Sequence, residues 1–449
     1  MKEKVLFIAP SQFSIGELHN AIYLSRQLES NGRTCHFLTS QNHLDYALNS
    51  GVKATPLRKK TMQTVAVKEV VQSFDPDAII IADYHNLDLE SPLIDLDFVL
   101  SLGLPTATID SLCFGTESKV LKNRLFEENL LKRTRSTSKA EAFLRKIPET
   151  MKVIRTCPIN DPSVKNERIQ PVTLYKRPFN MELIKKEEVR QRFGCHSKTD
   201  KLIMVSKAAW ANLFVKMRLM ETKLYMDRKY SYEHFIQQLI ECYLGVREVP
   251  SKVVIVGIAP ENSLIQHASE SKIKFVGMSF LNIKEYEDLL FSCDLFITDN
   301  VTSCSMAKAL FGYVPVLSLV NTKVNTGDGG NLLFPEIWES QEGRDAILQK
   351  WTKVLPKGIY PFLTFPNGWV DELQPLLANN PFMEAIEISE IFNIRETGEK
   401  IYNLLYCEKT KKIVNEKQEK YINLIINTPD ANDMMEFILD KKMKERLSK

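Results

Sequence analysis

No two cysteines in this chain are spaced as CxxC; the eight present stand singly at 35, 113, 157, 195, 242, 293, 304 and 407. Several sit inside apolar runs, so they read as reduced core residues rather than a disulfide or metal framework. Long hydrophobic runs are missing too. None approaches the ~20 residues needed to span a bilayer, so no transmembrane segment is expected. The opening "MKEKVLFIAPSQ" has no extended apolar core, because Pro10, Ser11 and Gln12 interrupt it. It therefore does not read as a signal peptide, and cytoplasmic residence is the expectation. Charge of one sign is not in excess: 59 basic against 56 acidic residues give a formal +3. Nucleic-acid binding calls for a concentrated basic face, and this balance argues against it. The motifs GxxxxGK[ST], HExxH and GxSxG are absent, and "GIAPEN" (257–262) is not GxGxxG. Those absences weigh against P-loop NTPase, zinc-hydrolase, α/β-hydrolase and simple NAD-dehydrogenase chemistry.

What is present is a pattern of apolar, β-branched runs with helical stretches between them. At 449 residues, 44% hydrophobic and 26% charged, the chain is a soluble globular one with room for two domains. The first half offers strands at 4–9, 34–39, 77–83 and 105–110, with a weaker one at 151–156. Between the first two, Leu18, Ile22, Leu24 and Leu28 recur at roughly helical spacing, and Gly32 ends the run as a C-cap would. Residues 158–180 carry four prolines and little periodicity, and read as a linker. The strand pattern restarts at 201–206, 251–259, 273–278, 294–300 and 314–320. Strands alternating with helices imply parallel sheets covered on both faces, here two similar αβα sandwiches. The expected layout is a first domain over 1–165, a linker at 166–182 and a second domain over 183–449. The final stretch "DANDMMEFILDKKMKERL" reads as a closing helix that packs back on the first domain. Residues 121–146 mix Leu and Phe with Lys and Arg. A solvated helix face is the plainer reading, with a membrane-surface or acidic-acceptor role beside it.

The densest signal is "IKFVGMSFLNIKEYEDLLFSCDLFITDNVTSCSMAKALFGYVPVLSL" (273–319): strand, loop, helix, strand, polar turn, helix with small residues, Pro-led strand. This order resembles the nucleotide-sugar half of GT-B glycosyltransferases, with their strand ending in Val-Gly, "aDlvIthgG" and "S-x-x-E-A-L-x-x-G-x-P". Anchored on Pro315, Ser305 falls at the serine, Lys308 at the glutamate, Ala309 and Leu310 at Ala-Leu, Tyr313 at the glycine, and Asn300 at the histidine opening the turn. A polar turn that opens a helix presents free N–H groups and the positive end of the helix dipole. Thr302, Ser303 and Ser305 add hydroxyls, so a diphosphate can be held without a metal. The resemblance also implies a base contact at Val276, Gly277 and Met278 and a second phosphate-side loop at Ser206 and Lys207. Asp328, in "NTKVNTGDGGN", is the candidate for sugar hydroxyls. Taken alone, Ser303 and Ser305 read equally as helix caps. Lys308 departs from the family's glutamate, which bonds the ribose, and a charged lysine cannot accept hydrogen bonds. It either meets a phosphate or the sugar is read elsewhere, which leaves room for a nucleotide other than UDP.

The same resemblance gives meaning to "APSQFSIGELHNAIYLSRQL" (9–28) after the first strand. Glycosyltransferases of this fold carry "G-H-x-x-P-x-x-x-L" there, and Glu17 falls at the histidine that takes the acceptor's proton in inverting members. Glu17 as an ionised carboxylate is one reading. Another is a capping box, Ser14-Ile15-Gly16-Glu17, in which Glu17 only returns a backbone hydrogen bond. His19 and the strand-end Asp110 are further candidates, as are Asp83 and His85; Trp369 is a candidate stacking residue in a stretch that matches no pattern. The fold implied is two Rossmann-like αβα domains facing each other across a cleft. The activity implied is hexosyl-type sugar transfer from a nucleoside-diphosphate sugar to a small-molecule or glycan acceptor, metal-independent and inverting, with no other cofactor. Two alternatives stand beside it. A nucleotide-sugar epimerase on the same fold would turn over donor without acceptor. A non-catalytic binding or partner subunit would bind and transfer nothing.

Overall fold

The computed structural model describes residues 3–12, 15–57, 63–84, 94–111, 119–122, 141–144, 146–176, 184–207, 231–258, 271–278, 281–323, 325–326, 332–333, 342–354, 373 and 376–439. The chain divides into two units. The first gathers Met1–Arg177, Asp371–Phe382 and Tyr421–Lys449, and the second Pro178–Val370 and Met383–Lys420.

The first unit is built on seven strands: β1 (Lys4–Ala9), β2 (Thr34–Ser40), β3 (Ala54–Leu57), β4 (Ala78–Ile81), β5 (Thr106–Ile109), β6 (Lys152–Cys157) and β7 (Ile169–Thr173). They lie in the order β3-β2-β1-β4-β5-β6-β7, every pair parallel. The central strands are continuous aliphatic runs because both of their faces are covered; Val5–Ala9 and Ala78–Ile81 are buried throughout. Register places Phe7 opposite Phe37, and their rings stack at 4.9 Å. Helix α1 (Gly16–Ser30) returns the chain from β1 to β2, burying Leu18, Ala21, Ile22, Leu24 and Leu28. It stops where Gly32 turns to φ +82°, a conformation that only glycine takes without strain. On the same helix Gln27 donates to the Thr173 and Leu174 carbonyls and accepts from the Ala431 N–H. One side chain so ties β7 and the C-terminal helix Ala431–Ile438 to the first unit.

Residues 158–180, read from their prolines as a linker, thus contain β7. Pro171 is tolerated there because β7 is an edge strand, and Pro56 sits likewise in β3 at the other edge. The helical reading of 121–146 is also corrected. Residues 119–122 and 141–144 pair as a short antiparallel ladder, and 123–140 lie outside the described residues.

The second unit carries six strands: β8 (Lys201–Ser206), β9 (Val253–Ile258), β10 (Ile273–Met278), β11 (Leu295–Thr298), β12 (Val316–Val320) and β13 (Glu387–Glu390). Their order is β10-β9-β8-β11-β12-β13, again all parallel. Helices α2 (Tyr232–Gly245), α3 (Ile283–Ser292) and α4 (Cys304–Phe311) follow β8, β10 and β11. Each begins at a polar cap: Ser231, the Asn282/Glu285 capping box and Ser303. Among the described residues no helix is long and apolar enough to cross a membrane.

Candidate functional site

Each sheet reverses its order of addition once, between β1 and β4 in the first and between β8 and β11 in the second. Open parallel sheets bind ligands outside the carboxyl ends of the strands at such a point. In the second unit, register places Ser206, the last residue of β8, beside Thr298, the last of β11. The two polar segments that follow, Ser206-Lys207 and Asn300–Ser305, are therefore neighbours.

The turn after β11 is internally braced. Asn300 accepts through Oδ1 from the Thr302 N–H at 3.2 Å and its hydroxyl at 3.0 Å. Ser303 caps α4, its hydroxyl accepting from the Ser305 N–H at 3.2 Å. Tyr286 of α3 donates to Ser305 Oγ at 2.7 Å and also bonds Ser206, so it joins the two segments. Burial pushes the Tyr286 hydroxyl up to about 12, against the opposing pull of those two serines, so it remains a donor at neutral pH. Val276, Gly277 and Met278 end β10 at the edge of the sheet, with Gly277 exposed. Asp328, His85 and Trp369 lie outside the described residues.

Lys308 does not reach outward. Its side chain is 1% exposed, and its ammonium donates to Glu287 of α3 at 2.9 Å, the glutamate being 22% exposed. The helix pair α3–α4 is thus pinned twice, by Tyr286–Ser305 and by Glu287–Lys308. Lys308→Met keeps the bulk and removes the charge. We expect it to destabilise the fold by roughly 1.5–3 kcal/mol, the worth of a charged hydrogen bond. In calorimetric titrations it should change affinity for a nucleoside diphosphate and for the free nucleoside equally. A loss confined to the diphosphate would return Lys308 to the phosphates. Tyr313, at the position where the resembled pattern has glycine, holds φ +55°. The left-handed turn is kept, with a side chain that pays strain for it.

Beneath these segments lies a buried polar cluster that the sequence did not announce. The Lys207 ammonium is 3.4 Å from Glu233 of α2, their side chains 8% and 4% exposed. Tyr232, the residue before, donates to the buried carboxylate of Asp299 at the end of β11. Burial lowers the proton affinity of Lys207, while Glu233 and Asp299 act in the opposite sense.

In the first unit the loop after β1 leads to Glu17 in the first turn of α1. The helix is capped by Ile15, which makes no side-chain cap bond, and Ser14 lies outside the described residues. Glu17 is half-buried, and its Oε2 has no hydrogen-bond partner among the described residues. Nothing described here corresponds to the reciprocal bonds seen at Asn282/Glu285. His19 sits in an aromatic group, Nδ1 2.6 Å from the Tyr46 hydroxyl and its ring 4.9 Å from Tyr23. Asp110 is fully buried after β5, its carboxylate 3.1 Å from Arg155 of β6. Asp83 is buried after β4. His43 was missed by the sequence reading. It ends the 3-10 turn Gln41–His43 after β2, where burial lowers its proton affinity against a bond to the Ser11 backbone. Asn42 donates to the Gln12 carbonyl at 3.1 Å, so this turn braces the loop that precedes Glu17.

Two parallel sheets with these strand orders and polar switch points define the class: the fold is that of the GT-B glycosyltransferases. The spinosyn rhamnosyltransferase SpnG superposes with a TM-score of 0.52 at 12% identity, covering 97% of this chain and 100% of its own. The glycosyltransferase VinC, in complex with dTDP, gives 0.50 at 12% over 99% and 100%. The spinosyn forosaminyltransferase SpnP gives 0.50 at 11% over the whole of both chains. By sequence, the chain belongs to the family described as "Family of unknown function (DUF6365)", whose model matches residues 24–443. No curated protein matches it.

Proposed function

We propose that this protein transfers a sugar from a nucleoside-diphosphate sugar to an acceptor nucleophile, without a metal and with inversion. The observation that carries this reading is the braced turn Asn300–Ser305. It opens a helix at the switch point of the second sheet, where N–H groups and hydroxyls suit a diphosphate. Ser206 and Lys207 belong to the same donor side, and Val276 to Met278 to the base. Glu17, half-buried at the start of α1 and not engaged in a capping box among the described residues, takes the acceptor's proton. His19 and Asp110 are held by Tyr46 and Arg155 and serve as supports.

The direct test is a thermal-shift panel of uridine, thymidine, guanosine and adenosine diphosphates and their hexose conjugates. A ligand present at 100 times its Kd should stabilise the protein by about 2.7 kcal/mol. The bound conjugate is then incubated alone and with candidate acceptors, and release of the nucleoside diphosphate is followed. No stabilisation by any member would remove the donor site from the reading.

A further inference from the structure

The hydrogen bond between Tyr286 and Ser305 has a direction, and the direction bears on the ligand. The Tyr286 hydroxyl donates to Ser305 Oγ at 2.7 Å, as the phenol, the stronger acid of the two, should. A tyrosine has one proton to give, so its contact with Ser206 is a bond received from the Ser206 hydroxyl. Ser305 is held a second time through its N–H, which donates to Ser303 Oγ at 3.2 Å. Its hydroxyl oxygen is thus already engaged as an acceptor, and its single proton is left to donate. Among the described residues that proton meets no acceptor. Ser305 is half-buried in the first turn of α4, beside the braced turn assigned to the diphosphate.

We infer that Tyr286 is a positioning residue for donor binding: by donating to Ser305 Oγ, it commits the Ser305 proton to a phosphate oxygen of the nucleoside diphosphate. This rests on the donor site proposed above. A serine in the first turn of a helix otherwise tends to turn its hydroxyl back onto a carbonyl three or four residues earlier, here Thr302 or Val301. That turn would move Oγ and break the 2.7 Å bond, so α3 holds the hydroxyl in place through Tyr286. Ser206, Tyr286 and Ser305 then form one chain in which every donor points the same way, and each bond polarises the next. Tyr286 acts through Ser305 alone. The Glu287–Lys308 pair joins the same two helices without engaging the Ser305 hydroxyl, which makes it the natural control.

The test is a double-variant cycle read by calorimetry. The wild type, Tyr286→Phe, Ser305→Ala and the double variant are each titrated with UDP and uridine, and with dTDP and thymidine. Phenylalanine keeps the ring in its packing, and melting temperatures report the lost helix contact separately. Ser305→Ala should weaken the diphosphates about tenfold to a hundredfold, the range for a hydrogen bond to a charged group. Tyr286→Phe should weaken them about threefold to tenfold, the range for a neutral one. Neither change should alter affinity for the free nucleosides. In the Ser305→Ala background, Tyr286→Phe should weaken the diphosphates no further, because the hydroxyl it aims is gone; independent contributions would add. Lys308→Met, which loosens the same helix pair, should affect diphosphate and nucleoside alike. Equal losses for diphosphate and nucleoside in Tyr286→Phe, or additive losses in the cycle, overturn this inference and leave the donor site standing. Wild-type diphosphate affinity in Ser305→Ala overturns it as well. A wild type that binds neither diphosphate overturns both.

Discussion

Replacing Glu17 by Gln is expected to lower the turnover of sugar transfer by about 10²–10⁴, the usual contribution of a positioned general base. Glutamine keeps the shape and one acceptor oxygen but cannot take a proton. Donor affinity should stay as in the wild type, since the donor residues belong to the second unit and Glu17 to the first. The melting temperature should barely move, because α1 is capped at Ile15 without a side-chain bond and Glu17 closes no capping box among the described residues. Two controls separate base from scaffold. His19→Gln loses the bond to Tyr46 and should show a small stability change with turnover largely kept. Asp110→Asn leaves the buried Arg155 without its partner, which costs roughly 3–5 kcal/mol in comparable pairs. Its defect should be one of folding, not of turnover per folded molecule. The measurement is kcat beside melting temperature for the three variants. Full activity in Glu17→Gln would move the base elsewhere, and His43 would be the next residue to change.

Ser303→Glu is expected to abolish nucleoside-diphosphate binding. Ser303 caps α4 at the centre of the braced turn, so a carboxylate there would stand within a few ångströms of the phosphates. At about 4 Å and an effective dielectric of ~20, one pair of like charges costs about 4 kcal/mol, close to a thousandfold in affinity. The fold should tolerate the change. Losing the serine cap costs about 1 kcal/mol, and a negative charge at a helix N-terminus recovers roughly 0.3–1 kcal/mol of it. Circular dichroism with calorimetric titration distinguishes the two effects. Wild-type affinity in a folded Ser303→Glu protein would sink the assignment of this turn to the diphosphate.

The central strands were legible because burial on both faces demands unbroken aliphatic runs, and β1, β4, β8 and β11 are such runs. Within the two parallel sheets, the three strands that escaped, β3, β7 and β13, are all edge strands. An edge needs only one satisfied ladder and one partner, so "ATPL" and "IQPVT" carry proline and "EISE" carries charge. Nothing in their local pattern distinguishes them from loop. The candidate site divides along the same line. The polar turn Asn300–Ser305 was readable because a cap, a hydroxyl run and a small-residue helix are contiguous in the chain. Lys308 and Glu287 are 21 residues apart, and Tyr232 and Asp299 are 67 apart. Each such pair is made by strand order and helix packing, which bring together groups whose spacing carries no periodic signal. Residue chemistry along the chain set the alternation of strand and helix and the polarity of the turns. Tertiary structure alone decided which charges would be buried together, because the cost of burying an ion is met only by a partner that the fold delivers.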